Sequence, residues 1–296
     1  MKKFKNVIIF THHRYLSNVN IKKITSSLKR SKVNVNLIAQ YNGYVKAESS
    51  DTILEEDNYS KNKIIRNSDL VLVFGGDGLF LSASKMSVDL GIPILGINHG
   101  KIGFLVDIDK KNALKQVKDI INGNYLVDSR MLLDVELGGN GTKKNKFVCL
   151  NDVVIHNYGL LKMIQVKIFV NNYLINIQRS DGLIIATPTG STAYSMSNGC
   201  PIVSPDSKVI SLTPVSPHTY SHRPLIINDT DKIKIEIDSS SVMHTMATID
   251  GSNNKNILNP EIVNIRKSKK TLKILHPKEY NYFQILNEKL KWGGRA

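Results

Sequence analysis

Asp77 stands inside a glycine cluster, Phe74-Gly75-Gly76-Asp77-Gly78, where a very apolar run gives way to a helical pattern over Leu79 to Met86. Glycines let backbone N–H groups approach phosphate oxygens closely, and a helix start adds the positive end of a dipole. A carboxylate inside such an anion-binding loop repels its ligand unless it holds a metal ion or accepts a proton, which makes Asp77 a catalytic candidate. The alternative is a tight turn with Asp77 as the helix cap. Two familiar phosphate loops do not fit. GxGxxG needs glycine where Leu81 stands; GxxxxGK[ST] fails because Gly96 and Gly100-Lys101 are one residue too close, and Ile102 has no hydroxyl for magnesium.

Three further clusters carry polar chemistry. Asn98-His99-Gly100-Lys101-Ile102-Gly103-Phe104-Leu105 follows the apolar run Ile92 to Ile97, and Phe104 either offers a flat face to a base or fills the core. In Leu150-Asn151-Asp152-Val153-Val154 two polar residues sit within a strand pattern, so one of them meets the core unless it meets a ligand. Asparagine can read an adenine edge and a carboxylate can accept from two ribose hydroxyls; a hairpin end is the alternative. Arg179-Ser180-Asp181-Gly182 precedes the run Leu183 to Ala186 and then Thr187-Pro188-Thr189-Gly190-Ser191-Thr192-Ala193-Tyr194-Ser195, where clustered hydroxyls at the start of a short helix supply neutral donors suited to a nucleotide. As an isolated string it also reads as a capped loop. His218 and His222 are four apart, but Thr219 stands where a zinc-protease motif needs glutamate, and His12-His13 reads as a loop after the first strand.

The elements that must position these residues change character along the chain. Asn6 to Phe10, Val33 to Ala39, Leu70 to Phe74 and Ile92 to Ile97 read as strands alternating with helical patterns, which predicts a doubly wound α/β domain over residues 1–128. Leu132 to Leu137, Phe147 to His156, Met163 to Val170, Leu183 to Ala186, Ile233 to Ile237, Thr245 to Ile249 and Ile262 to Ile265 follow with few helical interruptions. They predict an all-β, sandwich-like domain over residues 129–272, with Gly138-Gly139-Asn140-Gly141 as a hairpin tip.

The formal charge of +15, from 40 Lys and Arg against 25 Asp and Glu, points to an acidic partner or to a solvated lysine-rich surface. No nucleic-acid motif accompanies it, so a phosphate-rich small molecule is favoured over nucleic acid. Cys149 and Cys200 form no CxxC pair, which fits a reducing, cytoplasmic setting. Val7 to Phe10 is far shorter than a signal core, and no stretch approaches the roughly 20 apolar residues of a membrane span.

With these residues in view the chain resembles the NAD kinase family essentially end to end. The matching segments are GGDG at Gly75 to Gly78, GINHGKIGFL at Gly96 to Leu105, LNDVVIH at Leu150 to His156, QRSDGLIIATPTGSTAYSMS at Gln178 to Ser197, PHTYSHRPL at Pro217 to Leu225, and IDGS at Ile249 to Ser252. GGDG alone is shared with lipid kinases and phosphofructokinases; the long segment behind it is specific. The resemblance implies transfer of the terminal phosphate of ATP to the 2′-hydroxyl of the adenosine ribose of NAD, with NAD and ATP meeting between the two domains. It implies Mg²⁺ as the divalent ion, a homodimer or homotetramer, and a tail over residues 273–296 whose helix returns to the first domain.

By the same resemblance Asp77 is the proton acceptor, with Gly75, Gly76 and Gly78 as the phosphate loop and Gly78 beside the dinucleotide. Asn151 and Asp152 are the adenosine-binding pair, Arg179 and Asp181 lie on the substrate side, and Thr192, Ala193, Tyr194, Ser195, Met196 and Ser197 form the surrounding loop. The chain departs from the pattern at Asp152, where glutamate is usual, at Leu79, where Asn or Thr is common, and at His222, which has no family role. Two rivals remain: a lipid kinase, which needs an apolar cleft in place of the hydroxyl-rich loop, and a non-catalytic dinucleotide sensor, which can dispense with Asp77.

Overall fold

The computed structural model describes residues 3–42, 44–47, 53–54, 59, 62, 65–100, 103–139, 144–158, 163–219, 221–251 and 257–291. Lys101, Ile102, Asn140, Gly141, Tyr220 and Ser252, named above within motifs, lie outside the described residues. The chain divides into two units, one formed by Met1–Ser129 with Leu272–Ala296 and the other by Arg130–Thr271.

In the first unit, β1 (Asn6–His12) leads through α1 (Val19–Arg30) to β2 (Asn34–Gln40), which pairs with β1 in parallel. The antiparallel β3 (Val45–Ala47) and β4 (Ile53–Leu54) extend that edge. The chain then crosses to the other side of β1 with β5 (Leu70–Gly75), and α2 (Asp77–Leu90) leads to β6 (Ile94–Asn98) beside it. β7 (Ile108–Asp109) and α3 (Ala113–Ile121) follow, β7 pairing with the end of β6. Every residue of β5 and β6 is buried, as parallel strands covered on both faces require. Asn18 caps α1 by accepting the Asn20 N–H at 2.8 Å, and Ile21, Ile24 and Leu28 put one face of that helix in the core. Each buried Ile or Leu contributes about 1.5–3 kcal/mol by leaving water. α2 stops where Gly91 turns left-handed at φ 66°.

The C-terminal helix, Tyr282–Leu290, belongs to this first unit. It is capped by Asn281, which accepts the N–H groups of Phe283 and Gln284. Just before it, the buried His276 donates from Nδ1 to Asp107 at 2.9 Å and stacks on Tyr280 at 3.7 Å, and Ile274 pairs with Ile94 of β6.

The second unit is mostly antiparallel strand: β8 (Leu126–Gly138), which starts just before its boundary, β9 (Asn145–Cys149), β10 (Asp152–Asn157), β11 (Ile164–Val170), β12 (Tyr173–Ala186), β13 (Val209–Pro217), β14 (Leu225–Asn228), β15 (Ile233–Ile237), β16 (Thr245–Ile249), β17 (Ile257–Leu258) and β18 (Ile262–His276), the last running on past it. β12 pairs with β11 through its first half and with β10 through its second, while β13 lines its other edge. One core collects side chains from strands across the unit, among them Leu133, Val153, Val166, Ile185, Leu212, Ile235, Ala247 and Val263. The α/β unit and the mostly-strand unit bear out the expected fold class.

Two strand expectations need correction. Phe147 to His156 is not one strand: β9 ends at Cys149 and β10 begins at Asp152, because a distant carboxylate takes the amides in between. Leu183 to Ala186 is only the end of β12, whose first half is launched from a hairpin at Asn171-Asn172, both left-handed at φ 50° and 70°. Arg179 to Gly182 is therefore strand, and alternation leaves Arg179 and Asp181 exposed while Ser180 and Gly182 are buried.

Candidate active site

In the α/β unit Gly75 closes β5, Gly76 is the N-cap of α2 and Asp77 is its first helical residue. A Cβ on Gly76 or Gly78 would meet nothing within 4 Å, so there is room beside the backbone of this turn. Gly75 is different: a side chain there would collide with Leu79. Asp77 is not a free carboxylate above the loop. Its Oδ2 accepts the N–H of Phe104 at 3.0 Å and its Oδ1 that of Leu105 at 3.1 Å, so the glycine loop and the second cluster form one assembly. Gly103 makes this possible, because a Cβ on it would fall onto the Asp77 carboxylate. Each carboxylate oxygen has two acceptor positions, so Asp77 keeps capacity for a substrate hydroxyl. Phe104 is half-buried, with Lys289 Nζ 5.8 Å from its ring centroid.

In the strand unit Asn151 lies in the break between β9 and β10 and Asp152 opens β10, and both residues are buried. Asp250 holds it. Its carboxylate accepts the N–H groups of Leu150 at 2.9 Å, Asn151 at 2.7 Å and Asp152 at 3.2 Å, and its own N–H donates to the Asp152 carbonyl at 2.9 Å. From the other side Thr187 donates its hydroxyl to the Leu150 carbonyl at 2.5 Å and its N–H to that of Asn151 at 2.9 Å, and a Cβ on Gly190 would run into the Asn151 carbonyl. Asn151 Oδ1 is buried with no partner among the described residues. Burial, and then the Asp250 charge, push the Asp152 carboxyl up to about 7.

Beyond β12, Thr189–Thr192 form a 3-10 turn and Tyr194–Ser197 one helical turn. Ser195 is fully buried with its Oγ unpartnered among the described residues, whereas Tyr194 and Ser197 are exposed and Thr192, Ala193 and Met196 half-buried. The buried Arg130 steadies this turn by donating to Thr189 Oγ1 at 3.2 Å. His222 bonds through Nδ1 to the Asn176 amide at 2.8 Å, and His218 donates its backbone N–H to the Arg179 carbonyl.

Among the described residues no three His, Cys, Asp or Glu side chains converge as a metal site. Asp250, Thr187 and Gly103 stand in segments the sequence singled out, but their roles as clamp, brace and clearance were not legible there, and Arg130 stands in none of those segments. Asp250 carried a weak signal, an acid placed directly after the apolar run Thr245 to Ile249, but its partners are about 100 residues away in sequence.

Residues 10–125 match the ATP-NAD kinase N-terminal domain and residues 150–277 the ATP-NAD kinase C-terminal domain. The chain is 35% identical over 241 residues to the NAD kinase of Pseudoalteromonas translucida, an alignment covering 79% of this chain and 82% of that one. Among solved structures it resembles yeast NADH kinase complexed with NADH, with a TM-score of 0.83 at 24% identity over 100% of this chain and 90% of that one. It also resembles an NAD kinase from Archaeoglobus fulgidus in complex with ATP, with a TM-score of 0.74 at 23% identity over 97% and 98% of the two chains. The two structural likenesses show the fold; with the matched domains and the sequence identity, the chain belongs to the ATP-NAD kinase family.

Proposed function

We propose that this member of the family transfers the terminal phosphate of ATP to the 2′-hydroxyl of the adenosine ribose of NAD, with Asp77 as the group that orients and deprotonates that hydroxyl. The observation that carries the reading is the seating of Asp77: a carboxylate at the head of α2, fixed by the Phe104 and Leu105 amides, directly beside a glycine turn with open space at the Cβ positions of Gly76 and Gly78. Phosphoryl transfer needs mainly positioning and charge neutralisation, which such a turn supplies through its amides. As the oxygen–phosphorus bond forms and the bond to the leaving ADP breaks, the hydroxyl proton passes to Asp77, a contribution of about 10²–10⁴ in rate. Mg²⁺ enters in this reading with ATP, as the MgATP substrate.

The strand unit's residues hold the acceptor. Asn151 reads the adenine with its unpartnered Oδ1, and Asp152 takes the ribose hydroxyls. Arg179 and Asp181, exposed on one face of β12, and the turn Thr192 to Ser197 hold the remainder of NAD, while Phe104 offers a face to a base. The ATP and NADH named for the two structural relatives are of the donor and acceptor classes this requires. The exposed apolar side chains Tyr173, Leu174, Ile175 and Ile177 of β12 and Leu225 and Ile226 of β14 support a homodimer or homotetramer, and the free, buried Cys149 and Cys200 support a cytoplasmic setting.

Incubating the purified protein with NAD and MgATP and detecting NADP with an NADP-specific dehydrogenase tests the reading. An NAD analogue lacking only the adenosine 2′-hydroxyl should bind without accepting phosphate; its phosphorylation would overturn the assignment.

A further inference from the structure

The Phe104 and Leu105 amides that seat Asp77 belong to a short loop, residues 103–107, and the seat is only as firm as that loop. Part of its support is local. The Gly103 N–H donates to the Val106 carbonyl at 3.1 Å, which closes the turn. Gly96 in β6 lets the loop lie flat on the strand, since a Cβ there would run into Val106 and the Leu105 carbonyl. β7 then follows directly and pairs with the end of β6, Ile97 opposite Ile108.

The remaining support comes from the other end of the chain. The last residues of β18 run parallel to β6, with Ile274 opposite Ile94, and stop at His276, where β7 takes over the same edge of β6. Asp107 stands at that junction, between the loop and β7. His276 Nδ1 donates to Asp107 Oδ2 at 2.9 Å across 169 positions of sequence. Both side chains are almost fully buried, and among the described residues the other Asp107 oxygen makes no hydrogen bond, so the His276 contact is what fixes this carboxylate. The imidazole is itself held in place: Tyr280 stacks on it at 3.7 Å and 14°, and Asp128 Oδ2 lies 3.7 Å from Nε2. The same tail meets the loop a second time, with Lys289 Nζ 5.8 Å from the Phe104 ring centroid.

We propose that His276 is a positioning residue for the phosphoryl transfer: through Asp107 it holds residues 103–107 so that the Phe104 and Leu105 amides keep the Asp77 carboxylate in place. This deepens the kinase reading and rests on Asp77 being the group that acts on the hydroxyl. A buried hydrogen bond to a carboxylate is among the stronger polar contacts, and removing its donor leaves the acceptor uncompensated. The loop end then settles elsewhere and the two amides move with it. A misplacement of about an ångström at a reacting centre is enough to be read in kcat, even where the fold survives it. NAD is held in this reading by residues of the strand unit, so its KM is not expected to follow.

Two amide substitutions separate this role from plain support of the fold. An asparagine amide can stand where Nδ1 stands and still donate to Asp107, whereas a glutamine amide stands where Nε2 stands and faces Asp128 instead. In the full-length protein His276→Asn should keep kcat within about threefold, while His276→Gln should lower it at least about tenfold with KM for NAD within about twofold. Amide hydrogen exchange resolved to single residues should show the Phe104 and Leu105 N–H groups exchanging faster in His276→Gln and unchanged in His276→Asn. Should His276→Gln fail to fold, Asp107→Asn weakens the same bond at its other end and should show the kcat loss and the faster exchange in smaller measure. Equal kcat in the two His276 variants, a raised KM for NAD in place of a lowered kcat, or wild-type exchange at both amides overturns the role. If the unmodified protein does not phosphorylate NAD at all, the kinase reading fails and the exchange measurement decides the brace alone: faster exchange in His276→Gln but not in His276→Asn supports it, and the same exchange in both overturns it.

Discussion

Asp250 and Asn151 stand 99 positions apart, yet the Asp250 carboxylate accepts the Asn151 N–H at 2.7 Å and takes the amides on either side as well. The break between β9 and β10, which gives Asn151 and Asp152 their place, is built on that one side chain. Asp250→Ala strands buried N–H groups at about 1–3 kcal/mol each. The expected outcome is a thermal midpoint lower by several degrees and a KM for NAD raised at least about fivefold, with Asp250→Asn intermediate because its amide oxygen still accepts. Unchanged midpoint and KM in Asp250→Ala would remove the clamp from the account.

Asp152 gives the enzyme a proton-linked step. Its folded pKa of about 7 lies above its ordinary 3.8, so folding favours the protonated acid. Its contribution to stability is fully present below the ordinary value and is lost as pH rises to the folded one. Asp152→Asn should therefore flatten the dependence of stability on pH between 3.8 and about 7. The ionised form accepts ribose hydroxyls best, so kcat/KM for NAD should rise with pH through about 7, and that limb should vanish in the variant. A limb that persists in Asp152→Asn belongs to another group.

Side-chain reach at the same position is a separate matter. Asp152→Glu should remain active, since it restores the length usual in the family, whereas Asp152→Ala should weaken NAD binding by about 1–3 kcal/mol through lost charge-assisted hydrogen bonds. Calorimetry checks both. An unchanged dissociation constant in Asp152→Ala means the residue serves the fold only.

Gly103 tests the seat of the carboxylate without touching it. A methyl group there falls onto Asp77 Oδ1, so Gly103→Ala displaces the acid from the Phe104 and Leu105 amides. Misplacement by an ångström can cost about 10² in rate, and kcat should drop at least about tenfold with little change in KM for NAD. Wild-type turnover would mean that the seat does not matter.

Much of this was legible in the sequence. Continuous apolar runs marked β5 and β6, and Gly75 to Gly78 marked the strand-to-helix turn, because backbone geometry and burial are local demands. Asn151-Asp152 stood out as polar residues in an apolar run. Illegible were the relationships that folding alone creates: Asp250 beneath Asn151, the Phe104 and Leu105 amides on Asp77, and His276 against Asp107. Each joins residues at least 27 positions apart by a contact that leaves no periodic trace. The first half of β12 was missed for a different reason, since its exposed Tyr173, Leu174, Ile175 and Ile177 do not alternate with polar residues as a half-buried strand does.

The central claim is that Asp77 acts on the reacting hydroxyl, and turnover of Asp77→Asn measures it most directly. The substitution keeps the side chain's size and one oxygen to accept from the Phe104–Leu105 amides while removing charge and basicity. In a folded variant, checked by circular dichroism, kcat should fall at least about 10²-fold with NAD affinity altered by less than roughly tenfold. Near-normal kcat in folded Asp77→Asn would contradict the account and return the glycine turn to a purely structural role.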